Sequence, residues 1–185
     1  VLRRTAPRDR SEQEIAGYRE ALNLIHEQPD DIPFSTNVVL QLHSLLYRFS
    51  GHEGGAWKSV DNVIIERGPD GTTRERFVPV SAIATPQAVQ DLVVRYRDAV
   101  DRGVDPLLTV PLAVLDLLCI HPFRDGNGRT SRLVALLLLY RHGYDIGRYV
   151  SLERIVEQSK ETYYEVLERS SRGWHAGTHD PHPWL

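Results

Sequence analysis

Apolar residues recur every three or four positions along most of the chain, separated by short polar breaks, and this period predicts a largely helical protein. Between Ser11 and Glu27, the residues Ile15, Tyr18, Ala21, Leu22 and Ile25 fall on one helical face. Ser11 followed by Glu14 forms a capping box that opens this helix. The Pro29 to Pro33 stretch ends it. Ser35 or Thr36 starts a second helix, with Val39, Leu40, Leu42, Leu45, Leu46 and Phe49 expected inward. A third begins at Thr85-Pro86, with Thr85 as the cap and proline in the first helical position. The fourth, from about Asp105-Pro106 to Ile120, is apolar on nearly every side, Leu107 and Leu108 included, and is expected to be the central buried helix. Pro111 either kinks it or marks its true first turn. A fifth helix runs from about Asn127 to His142, stopping at Gly143, and a sixth from Ser151 to about Ser171.

One segment breaks the helical period. After a glycine-rich loop at Gly51 to Trp57, Val60, Val63, Ile64 and Ile65 form one strand signal, and Arg74 to Val80 another. Pro69-Asp70-Gly71 between them is a turn, so residues 60–80 are predicted to form a β-hairpin. An isolated hairpin is marginal and needs a helical body behind it. The expected fold class is therefore mostly α, a helical bundle carrying a small β-hairpin, in one domain with its core at about residues 11–174.

Composition narrows the setting. A chain of 185 residues is long enough for one domain with a real core. The net charge of −3 argues against nucleic-acid binding by this domain itself. Cys119 is the one cysteine, so no disulfide framework exists, and its apolar neighbours suggest a buried inert thiol. The first ten residues are polar and charged, so no signal peptide is visible in them, and the longest apolar run, Leu133 to Leu139, is too short to span a bilayer. A cytoplasmic protein is the default expectation. Lys58 and Lys160 are the only lysines, and the bias to arginine, alanine and valine hints at a GC-rich, bacterial genome. The chain lacks an initiating methionine and stops on Pro183-Trp184-Leu185, which suggests a fragment of a longer protein.

The chemistry is concentrated in one run, His121-Pro122-Phe123-Arg124-Asp125-Gly126-Asn127-Gly128-Arg129-Thr130-Ser131-Arg132. Proline after His121 forces an extended exit from the fourth helix. The fifth then opens at Gly126-Asn127-Gly128, and the free N–H groups and dipole of a helix N-terminus make an anion site. Gly126 and Gly128 would let phosphate oxygens approach the backbone. Arg129 and Arg132, three apart, can share a helix face and grip one polyphosphate. Asp125 at the lip offers the single carboxylate that usually holds Mg²⁺ together with phosphate oxygens. His121 is the one neutral-pH base in the run. These parts suit deprotonation of a hydroxyl beside a phosphate, without saying which phosphorus is attacked.

The run resembles the signature His-Pro-Phe-x-Asp/Glu-Gly-Asn-Gly-Arg-x-x-Arg of the Fic (filamentation induced by cAMP) family at every motif position. The upstream hairpin, the apolar helix leading into the motif and the Tyr163-Tyr164 pair also follow the family order. The resemblance implies a helical bundle with a hairpin "flap" and transfer of AMP from ATP to a Ser, Thr or Tyr hydroxyl of a target protein, with release of pyrophosphate. It implies His121 as general base, Asp125 as the Mg²⁺ ligand, and Gly126, Asn127 and Gly128 as the anion hole. It gives Arg129 and Arg132 the distal phosphates and Phe123 the task of plugging the loop into the core. The flap, through Val63, Ile64 and Ile65, would pair with the target by strand addition. Tyr164, or Tyr163, could pack on the adenine.

Two departures from the family pattern stand out. Pro79-Val80 occupies the place where many members have Pro-Pro. The inhibitory Ser/Thr-x-x-x-Glu-Gly/Asn helix, whose Glu pairs with the second motif arginine (here Arg132), does not occur in the chain; it would be supplied upstream or by a separate protein.

Other signals carry less. His52-Glu53 is half of a zinc-protease motif, with Ala56 in place of the second ligand. His175, His179 and His182 lie in an irregular tail that suits adventitious metal binding at most. Neither lysine follows a glycine, which excludes a P-loop. Arg95, Arg97, Asp98 and Arg102 suggest a solvated helix face, and His26, His43 and His142 ordinary surface or boundary residues. Two alternatives to AMP transfer stay open: a related enzyme with another nucleotide donor or de-AMPylation, and a nucleotide-sensing module of a DNA-linked regulator. A kinase-like reaction is disfavoured, because members acting that way depart from Asn127-Gly128-Arg129.

Overall fold

The computed structural model describes residues 10–67 and 70–185. It contains helices α1 (Arg10–Glu27), α2 (Thr36–Tyr47), α3 (Thr85–Asp101), α4 (Pro106–Ile120), α5 (Asn127–Arg141), α6 (Leu152–Gln158) and α7 (Lys160–Ser171). Strands β1 (Ile64–Arg67) and β2 (Thr73–Phe77) lie between α2 and α3, and single 3-10 turns occur at Asp145–Arg148 and Trp174–Ala176. The mostly α class with a two-stranded hairpin is the one the apolar period predicts.

α4 and α5 form the centre. Val110, Ala113, Leu117 and Ile120 of α4 pack with Leu133, Val134, Leu137 and Leu138 of α5, and α1, α2 and α3 cover them with Ile25, Leu42, Leu46, Val89 and Leu92. The first turn of α4 departs from the expectation of burial all round: Leu107 and Leu108 are about half exposed. The helix begins at Pro106, capped by the Asp105 carboxylate accepting from the Leu107 N–H at 2.8 Å, so Pro111 lies inside it and does not mark its first turn. Burial pushes the Cys119 thiol above its ordinary range, which suits an inert core residue.

Several sequence expectations are corrected. Ile15 of α1 is exposed; α2 ends at Tyr47, so Phe49 lies beyond it and is exposed, while Val38, His43 and Tyr47 are buried beside the expected Val39, Leu42 and Leu46. α1 is already helical at Arg10, ahead of the expected cap; the Ser11 side chain lies outside the described residues. Thr85 does not cap α3: its hydroxyl donates to the Ser81 carbonyl at 2.8 Å, and the helical path begins in the preceding turn, with Ala84 in the cap position. The single sixth helix is two, α6 and α7, separated at Ser159. Val60 and Val63 precede the hairpin rather than forming part of it. Pro69 of the expected turn lies outside the described residues, but Asp70 accepts from the Thr72 N–H at 3.0 Å and Gly71 has φ +82°, as a tight turn requires. The strands are antiparallel, Glu66 opposite Arg74, with an irregularity between Ile64 and Ile65.

The hairpin is tied down at both ends. At its base the Ala82 N–H donates to the Asp61 carboxylate at 2.6 Å. Along β2, Arg74 and Arg76 pair with Glu168 of α7. Arg76 also donates to the Tyr164 carbonyl, and the Arg76 guanidinium lies 5.5 Å from the Tyr164 ring centre. His175 stacks on Phe77 and meets the Val78 carbonyl at 2.7 Å. The flap is thus clasped against α7. No helix among the described residues is long and apolar enough to cross a membrane.

Candidate active site

The motif loop joins the C-terminus of α4 to the N-terminus of α5. His121 is the C-cap of α4, at φ 51° and ψ 61°, and is the one non-glycine residue with positive φ among the described residues. A side chain held in the left-handed region costs about 1–3 kcal/mol and persists where the surroundings impose it. Its Nδ1 lies 3.3 Å from the Leu118 carbonyl. A carbonyl only accepts, so Nδ1 carries the proton and Nε2 holds the basic lone pair. Burial lowers the His121 pKa to about 4, with Lys58 pushing the same way; the hydrogen bond to Leu118 and the charge of Asp125 oppose them.

Past the histidine the chain is locked inward. Phe123 is 0% exposed, stacked between the His43 ring at 3.7 Å and the Trp57 ring at 5.4 Å. The buried Asn127 side chain accepts from the Phe123 N–H at 2.9 Å and donates to the Phe123 carbonyl at 2.8 Å. This amide is therefore consumed within the loop, and only the backbone N–H of Asn127 can face an anion. The ladder of α5 opens with the Thr130 N–H donating to the Gly126 carbonyl at 2.9 Å. The N–H groups of Asn127, Gly128 and Arg129 are the donors a helical first turn leaves without a ladder partner.

The two glycines are required for different reasons. Gly126 has φ +80°, and a Cβ there would meet the Tyr47 hydroxyl at 3.0 Å, so that space is filled by the protein itself. A Cβ on Gly128 would lie 3.2 Å from Arg132 Nη1, so Gly128 leaves room for that guanidinium beside the helix mouth. Gly126→Ala is expected to cost about 1–3 kcal/mol from the strained φ. At about 2–4 °C per kcal/mol for a chain of this size, a thermal melt should shift down by about 2–12 °C.

An open cleft of about 160 Å³ lies beneath the flap. His121, Gly128, Arg132, Tyr163, Tyr164, Glu168, Arg76 and Ile64 line it. The structure thus brings together His121, Gly128, Arg132, Tyr164 and Ile64 of the residues singled out in the sequence. Val63 and Ile65, each about half exposed, do not line it. Nor does Arg129. Its guanidinium pairs with Glu14 of α1 at 2.9 Å, donates to the Tyr47 hydroxyl at 3.1 Å and comes within 3.9 Å of Asp125. Arg132 instead bonds Glu153 of α6 through Nε at 2.7 Å. Burial opposes its charge, but Glu153 outweighs burial and raises its pKa. The two motif arginines share a helix but not a set of partners.

Asp125 stands at the edge of a second cleft, lined also by Lys58, Asn62 and Arg124. One carboxylate oxygen accepts from the Gly126 N–H at 2.6 Å. Burial, first of all, pushes Tyr47 up to about 12, and the charge of Asp125 acts in the same direction. Among the described residues no group of three or more His, Cys, Asp or Glu is placed to hold a metal. One mostly exposed carboxylate suits Mg²⁺, which is held by one or two carboxylates with substrate phosphates and water; it does not suit a metal caged by protein.

The sequence reading missed two groups. His43, expected to be an ordinary surface or boundary residue, is 4% exposed and touches the motif loop directly; burial lowers its pKa. Its position one turn from Val39 and Leu46 was the available signal. Lys58 is buried, donating to Asn62 at 2.8 Å and to the Ile120 carbonyl at 3.2 Å at the negative end of α4. Its N–H donates to the Pro122 carbonyl at 2.9 Å, and Asn62 donates to the Phe123 carbonyl at 3.3 Å. The chain entering the flap is thus wired to the motif loop, a link no local pattern announces. His26 and His142 are boundary residues, each meeting a tyrosine hydroxyl at 2.8 Å.

The Fic/DOC family profile matches residues 33–139, more than half of the chain. The chain belongs to the Fic/DOC family. This Fic domain is 36% identical over 83 residues to protein adenylyltransferase fic-1 of Caenorhabditis elegans, a match covering 43% of this chain and 16% of that protein. The stretch it shares is therefore a small part of that relative. Its fold is similar to a Fic-domain-containing signalling protein from Bacteroides thetaiotaomicron, with a TM-score of 0.72 and 24% identity over 94% of this chain and 61% of that one. A Fic family protein from Desulfovibrio desulfuricans gives a TM-score of 0.66 and 27% identity over 89% of this chain and 47% of that one.

Proposed function

We propose that this Fic domain transfers AMP from ATP to a Ser, Thr or Tyr hydroxyl of a target protein, releasing pyrophosphate. The observation that carries this reading is the meeting, in one cleft, of a histidine with a free Nε2, the mouth of α5 and the Arg132 guanidinium. In the proposed step Nε2 of His121 takes the proton of the target hydroxyl as its oxygen attacks the α-phosphorus. The bond from that phosphorus to the α,β-bridging oxygen breaks, and pyrophosphate leaves with the bonding pair. The α5 N–H groups and dipole stabilise charge on the phosphate oxygens. Arg132 holds the distal phosphates through its Nη groups while Glu153 keeps the guanidinium in place. Asp125 would hold Mg²⁺ with the α- and β-phosphates, and the ion would neutralise their charge. Tyr164 at the outer wall would pack on the adenine, and the unpaired edge of the flap would receive a strand of the target. The name of the nematode relative supports the reading, as does the match to the full motif.

Two labelled nucleotides test it. With ATP labelled at the α-phosphorus, label is expected in the protein itself or in a lysate protein; with label at the γ-phosphorus, none is expected. Incorporation from the γ-position would replace the reading with phosphoryl transfer, and incorporation from neither would remove it.

A further inference from the structure

From outside, α2 packs on the motif loop through His43 and Tyr47. The Gly55 N–H donates to His43 Nδ1 at 2.8 Å, so Nδ1 is an acceptor and the proton of the neutral ring lies on Nε2. Nε2 in turn lies 3.0 Å from the Asp125 carbonyl, which can only accept. One flat side chain therefore accepts at one edge, donates at the other, and stacks its face on Phe123 at 3.7 Å and 3°. Phenylalanine could supply the stack and glutamine the donor, but neither supplies all three.

The carbonyl that His43 holds belongs to the peptide between Asp125 and Gly126. Glycine occupies positive and negative φ with similar ease, so the residue that permits φ +80° also makes a flip of this peptide cheap. A flip would turn the carbonyl oxygen away from α2 and withdraw the Gly126 N–H from the Asp125 carboxylate, which it now meets at 2.6 Å. We propose that His43 is a positioning residue for the motif loop: by holding the Asp125 carbonyl from α2 it fixes the 125–126 peptide, and with it the direction of the Asp125 carboxylate and the mouth of α5. That this serves catalysis rests on the AMP-transfer reading; that His43 holds the peptide does not.

The experiment has a structural arm and a kinetic arm. In the wild-type protein, ¹⁵N NMR of the imidazole is expected to show an unprotonated Nδ1 and a protonated Nε2; a protonated Nδ1 overturns the proposal without any variant. His43→Phe keeps the stack and removes both hydrogen bonds, so the Gly126 and Gly128 amide signals are expected to split or broaden. His43→Gln restores the donor to the Asp125 carbonyl and should return them to single signals. In AMP transfer, His43→Phe is expected to lower kcat/KM by about 100-fold, the usual effect of misplacing a reacting group by about 1 Å. His43→Gln should recover at least about tenfold of that, since it re-fixes the same carbonyl. A phenylalanine variant with wild-type amide signals and wild-type kcat/KM overturns the proposal, as does a glutamine variant no better than phenylalanine. A wild type that transfers no AMP, but whose Gly126 amide splits in His43→Phe, removes the AMP reading and keeps His43 as the residue holding the loop.

Discussion

His121→Ala is expected to lower the rate of AMP transfer by about 10²–10⁴-fold, the usual contribution of a positioned general base. The fold should survive, because among the described residues the imidazole bonds one carbonyl, that of Leu118, at 3.3 Å. Alanine keeps the left-handed cap strained; His121→Gly relieves it, since glycine adopts positive φ freely. The glycine variant should therefore be as inactive as alanine and melt at a higher temperature than it. Retained transfer in either variant would move the base elsewhere. The pH dependence has a defined sign. Burial holds the folded-state pKa near 4, below the ordinary 6.5, so the ring is neutral and able to accept a proton throughout the physiological range. The acid limb of kcat/KM should fall near pH 4 to 5 rather than near 6.5. The linked stability has the same direction. The unfolded chain binds the proton first, so the contribution of His121 is complete above pH 6.5 and is lost as pH falls through 4.

Phe123→Ala is expected to be the most destabilising single change in the motif. Its ring is fully buried between His43 and Trp57, and both its backbone groups are held by Asn127. Deleting a buried phenylalanine ring costs about 3–5 kcal/mol, from lost transfer energy and the cavity left behind. With about 2–4 °C per kcal/mol, calorimetry should show the melting temperature lowered by about 6–20 °C. Transfer should fall as well, because His43 loses the surface it stacks on and the Asp125 peptide loses its hold. Phe123→Leu, which refills most of the volume, should recover much of the melting temperature while recovering less of the activity. A drop below about 1 kcal/mol on truncation would mean that the ring does not anchor the loop.

The motif shows where local and long-range information part. The helix-ending His121-Pro122, the turn at Gly126 and the open N–H groups of α5 follow from residues within a few positions of one another, and each was legible in the chain. So were the central α4, the stop at Gly143 and the hairpin as a unit. The stripe on α2 was legible only in part: Val39, Leu42 and Leu46 are buried as the period implies, but the helix ends at Tyr47, ahead of Phe49, and His43 is buried against the motif loop, a packing that the local sequence does not show. The break at Ser159 was hidden because Leu152 to Ser171 keeps a helical composition throughout.

Apolar period, glycines and prolines determine most of the segments that coil and which loop holds the chemistry, because those preferences act over one or two helical turns. Pairing across the molecule is another matter. Glu14 with Arg129, Glu153 with Arg132, Lys58 with the end of α4 and His43 with the Asp125 carbonyl join residues 21 to 115 positions apart. No spacing rule reaches that far. Only the crossing of the helices brings such groups within 3.2 Å of each other, and burial then compels each to find a partner.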